Sequence, residues 1–97
     1  MPWYRCLIRG ENYPGNLIGK TGLVGFYVNR FVEAPDPIQA EEIALAGLRS
    51  ERRLSLPADT TYQVAPALYI EEVVEVPFSK VSPHPQGFTW FIEEVLA

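Results

Sequence analysis

The chain has 97 residues, 47% of them apolar and 21% charged, with a formal net charge of −4 and a single cysteine. That length holds one domain with one core, residues 1–97, and excludes two. The apolar share excludes a disordered chain, the acidic balance argues against generic attraction to nucleic acid or anionic membrane, and a lone Cys6 excludes an internal disulfide.

Trp3 to Arg9 is the first predicted strand. Alternation puts Tyr4, Cys6 and Ile8 on one face, expected to be core, and Trp3, Arg5, Leu7 and Arg9 on the other. Gly10 to Gly22, with Gly15, Gly19 and Pro14 between them, is predicted to be a long loop. A loop of that length in a compact domain is often functional or mobile. The second strand is expected from about Leu23 to Val32. Val24, Phe26 and Val28 share one face, and Tyr27, Asn29 and Phe31 the other. Both faces carry large apolar groups, so neither is expected to be fully solvated.

Asp36 is a predicted N-cap, since its carboxylate can accept from the free N–H groups of the first turn. Pro37 suits the first helical position, and Gln39 completes a variant of the capping box. Ala40, Ile43, Ala44, Gly47 and Leu48 form a stripe at helical spacing. Their small size predicts close approach of helix to sheet, which would account for Gly47. Glu41 and Glu42 lie toward the positive end of the helix dipole and Arg49, Arg52 and Arg53 toward the negative end. Fraying is expected between Arg49 and Leu54, and Pro57 rules out continuation.

Residues 55 to 66 are predicted to be loop, and Ala67 to Val76 a third strand. Leu68 and Ile70 share a face, Glu72 interrupts the alternation ahead of Val74 and Val76, and a β-bulge near Glu71–Glu72 would restore it. Ser82 to Gly87 is a turn or loop. Phe88 to Ile92 is read as a fourth strand in preference to a short helix capped by Thr89, because Trp, Phe and Ile suit a strand. The predicted fold class is α+β, in the order β-β-α-β-β. It is a four-stranded, mainly antiparallel sheet with one amphipathic helix on one face and strand order 2-1-3-4. Residues 1 to 32 carry Arg5, Arg9, Lys20 and Arg30 against Glu11, whereas residues 66 to 97 carry Glu71, Glu72, Glu75, Glu93 and Glu94 against Lys80. The order chosen lets strands 1 and 3 face opposite charges across their ladder.

Several residues are candidates for chemistry. Gly15-Asn-Leu-Ile-Gly19-Lys20-Thr21 looks like a phosphate-binding loop but is one residue short, and a strand follows where a phosphate loop must open a helix. Cys6 alternates with core residues and is expected to be an inert buried thiol rather than half of a Cys–His pair with His84. One His and one Cys make a poor zinc set. The glutamates are expected to form a solvated or arginine-paired edge rather than a carboxylate site. No catalytic residue, metal ligand or cofactor is assigned.

The aromatic residues are the most suggestive set. Trp3, Tyr27, Phe31 and Trp90 are expected on the sheet face away from the helix, with Arg5 and Arg9 between them. Such a face can stack bases, but the domain is acidic and carries no RNP-like motif. The face is therefore expected to be buried, either under loops 10–22 and 54–66 or against a second copy. The first expectation is a non-enzymatic interaction or regulatory domain that joins a second copy or another protein through the open sheet face or an edge strand. The alternative is a small-molecule binder or enzyme in which loop 10–22 is a lid, Arg5, Arg9 and Lys20 hold an anion, and Tyr13 packs on it.

The N-terminus, Met-Pro-Trp-Tyr-Arg-Cys, lacks the apolar core of a signal peptide, and no apolar run reaches the roughly 20 residues of a membrane helix. With the unpaired thiol, these features predict a cytoplasmic protein. The run Trp3-Tyr-Arg-Cys-Leu-Ile-Arg-Gly-Glu-Asn12, and the junction Phe31-Val-Glu-Ala34 leading into a helix with Ala40-Glu41, resemble small uncharacterised bacterial proteins of about this length. That resemblance implies a bacterial stand-alone domain and brings no site residue with it.

Overall fold

The computed structural model describes residues 1–51, 54, 65–83 and 87–93. The loop expected over 55 to 66 falls almost wholly outside them. Strand β1 spans Trp3–Pro14, β2 Leu23–Glu33, helix α1 Pro37–Arg49, β3 Ala67–Val76 and β4 Thr89–Ile92. The sheet order is β3-β1-β2-β4, and all three pairings are antiparallel. The fold is the α+β class expected, a four-stranded sheet with one helix on one face. β2 and β3 both run antiparallel to β1, so they are parallel to each other, and α1 makes the crossover between them. The long axis of 45 Å follows from a 12-residue β1, which at ~3.4 Å per residue spans about 40 Å.

Gly10 does not end the first strand, and the predicted long loop is mostly strand and tight turn. Gly10 sits opposite Phe26. The Phe26 ring occupies the space above it, so a Cβ on Gly10 would lie 2.1 Å from Cε2. The β1–β2 register then slips between Gly10 and Tyr13, where Glu11 and Asn12 oppose Gly25 alone. Asn12 adopts φ 62°, a left-handed conformation that asparagine tolerates. The bulge lets β1 continue to Pro14 and returns Tyr13 to the buried face. A single 3₁₀ turn, Gly15–Ile18, follows. The Gly15 N–H donates to the Gly22 carbonyl (2.7 Å) and the Lys20 N–H to the Gly15 carbonyl (2.9 Å).

The helix starts as its cap residues dictate. Asp36 Oδ1 accepts from the Gln39 N–H at 2.8 Å, and Gln39 Nε2 donates back to Asp36 Oδ2 at 3.3 Å. The reciprocal bond thus goes to the carboxylate, not to the backbone N–H of a full capping box. Ala40, Ala44 and Leu48 are buried and Leu45 is half-buried beside them. Ile43 is 46% exposed, and nothing lies within 4 Å of a Cβ built on Gly47. The buried stripe is therefore narrower than predicted and centred one position over. Close packing is achieved by the two alanines and does not account for Gly47.

The bulge expected in β3 is present. Leu7 pairs with Glu72 and Ile8 with Ile70, leaving Glu71 as the extra residue. Its effect is to place Val73 after Ile70 on the core face and to send Val74 and Val76 to the other face. Strand β4 joins the free edge of β2, not of β3 as the predicted order had it. Gly25 explains the choice: it faces Phe91 across the ladder and leaves room for the ring. Two polar bonds fix this edge. The Glu93 N–H donates to the Leu23 carbonyl at 3.2 Å, and the Glu93 carboxylate accepts from the Asn12 N–H of the bulge at 2.6 Å.

The core lies between α1 and one sheet face. Tyr4, Cys6, Ile8, Val24, Phe26 and Val28 are buried there with the helix residues, Ala34 and Leu54. Phe26 is its aromatic centre, with ring centroids of Tyr13, Phe88 and Trp90 at 5.2, 4.9 and 5.3 Å.

Candidate functional site

The outer face of the sheet is built by the odd-numbered residues of β1. Pairing in register puts Val76, Trp3 and Glu33 on one rung, then Val74, Arg5 and Phe31, then Glu72, Leu7 and Asn29, then Tyr69, Arg9, Tyr27 and Thr89; beyond them, at the β1 bulge, Ala67 pairs with Glu11 and Gly25 with Phe91. Among the described residues no helix or strand packs over this surface. Tyr27, Tyr69 and Val74 are 41%, 43% and 38% exposed. At one end the Trp3 ring meets Phe78 (centroids 6.0 Å apart), itself exposed, and at the other Tyr27 meets Phe91 (5.5 Å).

The structure brings together Trp3, Arg5, Arg9, Tyr27 and Phe31 on this face, as the alternation predicted. It does not bring Trp90, Tyr13 or Lys20 there. Trp90 pairs with Phe26 and so points to the core side. Tyr13 is buried against Phe26, and Lys20 is exposed in the turn between β1 and β2. The residues missed were Tyr69, Val74 and Phe91. Alternation with Leu68 and Ile70 would have found Tyr69, the β3 bulge exchanges Val74 for Val73, and Phe91 becomes visible only once β4 is known to pair with β2.

The opposite charges at the two ends of the chain meet as expected. Arg5 pairs with Glu72, and Arg9 pairs with both Glu71 and Glu11. The Arg9 guanidinium also lies over the Tyr69 ring, 4.8 Å from its centroid. The hydrogen bond to Glu71 holds the Arg9 pKa above its ordinary value. Both arginines of this face are thus already neutralised by the chain itself. Arg5 Nε and Asn29 Oδ1, on the same face, are enclosed with no hydrogen-bond partner among the described residues.

The other chemical candidates separate from each other. Cys6 is fully buried, with Sγ 3.8 Å from the Ala40 carbonyl oxygen. Burial, and to a lesser degree Glu41, pushes its thiol pKa up, which is the opposite of what a nucleophile needs. His84 and Glu94 lie outside the described residues. Among the described residues no three His, Cys, Asp or Glu side chains gather as a metal site would require. Gly15, Gly19 and Lys20 use their N–H groups within the turn, and β2 follows it, so no phosphate cradle forms there.

The fold and this face define a small α+β protein with a four-stranded antiparallel sheet, sheltered by its helix on one side and amphipathic on the other. No helix among the described residues is long and apolar enough to cross a membrane. No protein-family model matches the chain, and neither a curated protein nor a solved structure is significantly similar to it.

Proposed function

We propose that the chain is a non-enzymatic interaction domain that associates with a second copy of itself through the outer face of the sheet. The observation that carries this reading is the ring-rich surface from Trp3 and Phe78 to Tyr27 and Phe91, which no described element covers. Exposed apolar patches of this kind mark interaction sites. The pairing of each arginine within its own protomer lowers the cost of taking it into an interface.

The face is a better candidate than the sheet edge. The outer edge of β3 is interrupted by the Glu71 bulge and carries Glu72 and Glu75. Bulges and charged residues are what natural sheets use to discourage edge pairing. The anion-binding alternative draws no support from the geometry. Arg5 and Arg9 point from one face, Tyr13 packs in the core, and Lys20 sits in the turn at the end of the hairpin. A cytoplasmic setting belongs to this reading too, since a single free thiol suits a reducing compartment, and a bacterial one rests on the resemblance alone.

Light scattering tests the reading. The expected mass is twice that of the 97-residue chain, and Phe31→Asp is expected to give a folded monomer. A wild-type protein that stays monomeric at high micromolar concentration would falsify it.

A further inference from the structure

We infer that the second copy binds with the two-fold axis running along the strands, between β1 and β2, so that β1 of each copy lies on β2 of the other and β3 on β4. This rests on the self-association proposed above and supplies its geometry. Two identical sheets meeting face to face around a two-fold axis in the interface plane have two simple arrangements. The axis either crosses the strands or runs along them.

A crossing axis lays each strand on its own copy. β1 carries Arg5 and Arg9 on this face, and β3 carries Glu72 there and Glu71 reaching to Arg9. With the axis at the Leu7 rung, the middle of this face, Arg5 would land on Arg9 of the second copy and Glu72 on its own counterpart, in a space that excludes water. Like charges repel most where water cannot screen them.

An axis along the strands avoids this. On the outer face β2 presents Tyr27, Asn29 and Phe31, and β4 presents Thr89 and Phe91. Apart from Glu33, which stands one rung beyond Phe31 opposite Trp3, these columns are uncharged, so Arg5 and Arg9 land on uncharged residues and no carboxylate of β3 lands on another carboxylate. Rotation about such an axis keeps rungs level. Arg5 shares a rung with Phe31, and Arg9 with Tyr27. Each arginine therefore comes over the ring of its own rung partner in the second copy. Guanidinium planes stack well on aromatic faces, and Arg9 already lies over Tyr69 in this way. The contact is reciprocal, as a two-fold interface requires.

Cross-linking separates the two arrangements. Tyr69 on β3 and Thr89 on β4 lie on one rung, at opposite edges of the sheet, and both are exposed. The axis proposed brings Tyr69 of one copy within about 10 Å of Thr89 of the second copy, and leaves like positions roughly 17 Å apart, from the spacings of strands and packed sheets. Tyr69→Cys and Thr89→Cys chains are mixed and treated with a bismaleimide of about 10 Å reach. Native Cys6 is buried and does not compete.

Both substitutions are at exposed positions, and circular dichroism checks that each variant keeps the fold. The expected result is a covalent dimer in the mixture, at about fivefold the yield of either variant alone, given those spacings. Dimers by light scattering with the mixture no better than the single variants, or with either variant linking to itself, overturn the axis and leave the association standing. Monomers by light scattering overturn the association itself and leave the face to a different protein.

Discussion

Phe91 fills the place where Gly25 has no side chain: a Cβ built on Gly25 would lie 2.2 Å from the Phe91 Cζ atom. The pair is the outer-face counterpart of Phe26 over Gly10 on the core side. In both, a glycine that weakens a strand by itself gains a reason from the ring seated on it. Gly25→Ala forces Phe91 out of its notch and β4 away from β2. The expected cost is about 1–3 kcal/mol, the range for overpacking, read as a lower urea midpoint with unchanged m-value. A midpoint within error of wild type would show that β4 is not held by this contact.

Gly47 gives the opposite expectation. It lies inside α1, is exposed, and has nothing within 4 Å of the place a Cβ would take. Gly47→Ala is expected to stabilise the protein by ~0.5–1 kcal/mol, because alanine loses less chain entropy in a helix. A loss of stability on chemical denaturation would mean that the backbone at this position is approached by something after all.

The carboxylate of Glu93 holds the N–H of Asn12 at the β1 bulge. Glu93→Ala removes a charge-assisted bond and leaves a half-buried donor to find water. A cost of about 1–2 kcal/mol follows from the usual worth of such bonds. Amide exchange at Asn12 should accelerate in the variant while Cys6 and Ile8, in the middle of β1, stay protected. Uniform acceleration along the strand would refute the local role.

Alkaline pH should destabilise the fold. Burial raises the pKa of Cys6 above its ordinary 9.0 and those of Tyr4 and Tyr13 above 10.0; nearby Glu75 adds to the shift at Tyr4, and Arg49 opposes it at Tyr13. The native state therefore holds these protons more tightly than the unfolded chain does. Their contribution is fully present below pH 9 and is lost as pH rises through the elevated folded values. Denaturation midpoints should be level from neutral pH to about pH 9 and then fall, by the direction of these shifts. A midpoint that rises above pH 10 would reverse the sign.

Much of this architecture could be read from residue order, and the failures share one cause. Tyr4-Cys6-Ile8 and Val24-Phe26-Val28 fall on the core face because period-two alternation reports it directly. Asp36-Pro37 marks the helix start for equally local reasons. The β3 bulge shows as a break in alternation, and the charge asymmetry of the two ends places β1 beside β3. What could not be read depends on contacts between distant residues. Gly10 looks like a strand end until Phe26 is placed over it. Trp90 and Phe91 exchange faces once β4 is known to pair with β2. Ile43 and Gly47 fit a helical stripe as well as Leu45 does, and only the docking angle of α1 decides between them. Of the outer face, Trp3, Arg5, Arg9, Tyr27 and Phe31 were legible, while Val74 and Phe91 needed the register.

The register of β1 against β2 also has a kinetic consequence. Partners from Trp3 and Glu33 to Pro14 and Leu23 form a ladder that can zip from its own reversal point, each closed rung shortening the loop needed for the next. β3 has no such shortcut, because a chain segment containing all of α1 separates it from its neighbour. The rate at which the molecule matures should accordingly follow β3's capture, and substitutions at Val73 should slow refolding more than equally destabilising ones near Val24.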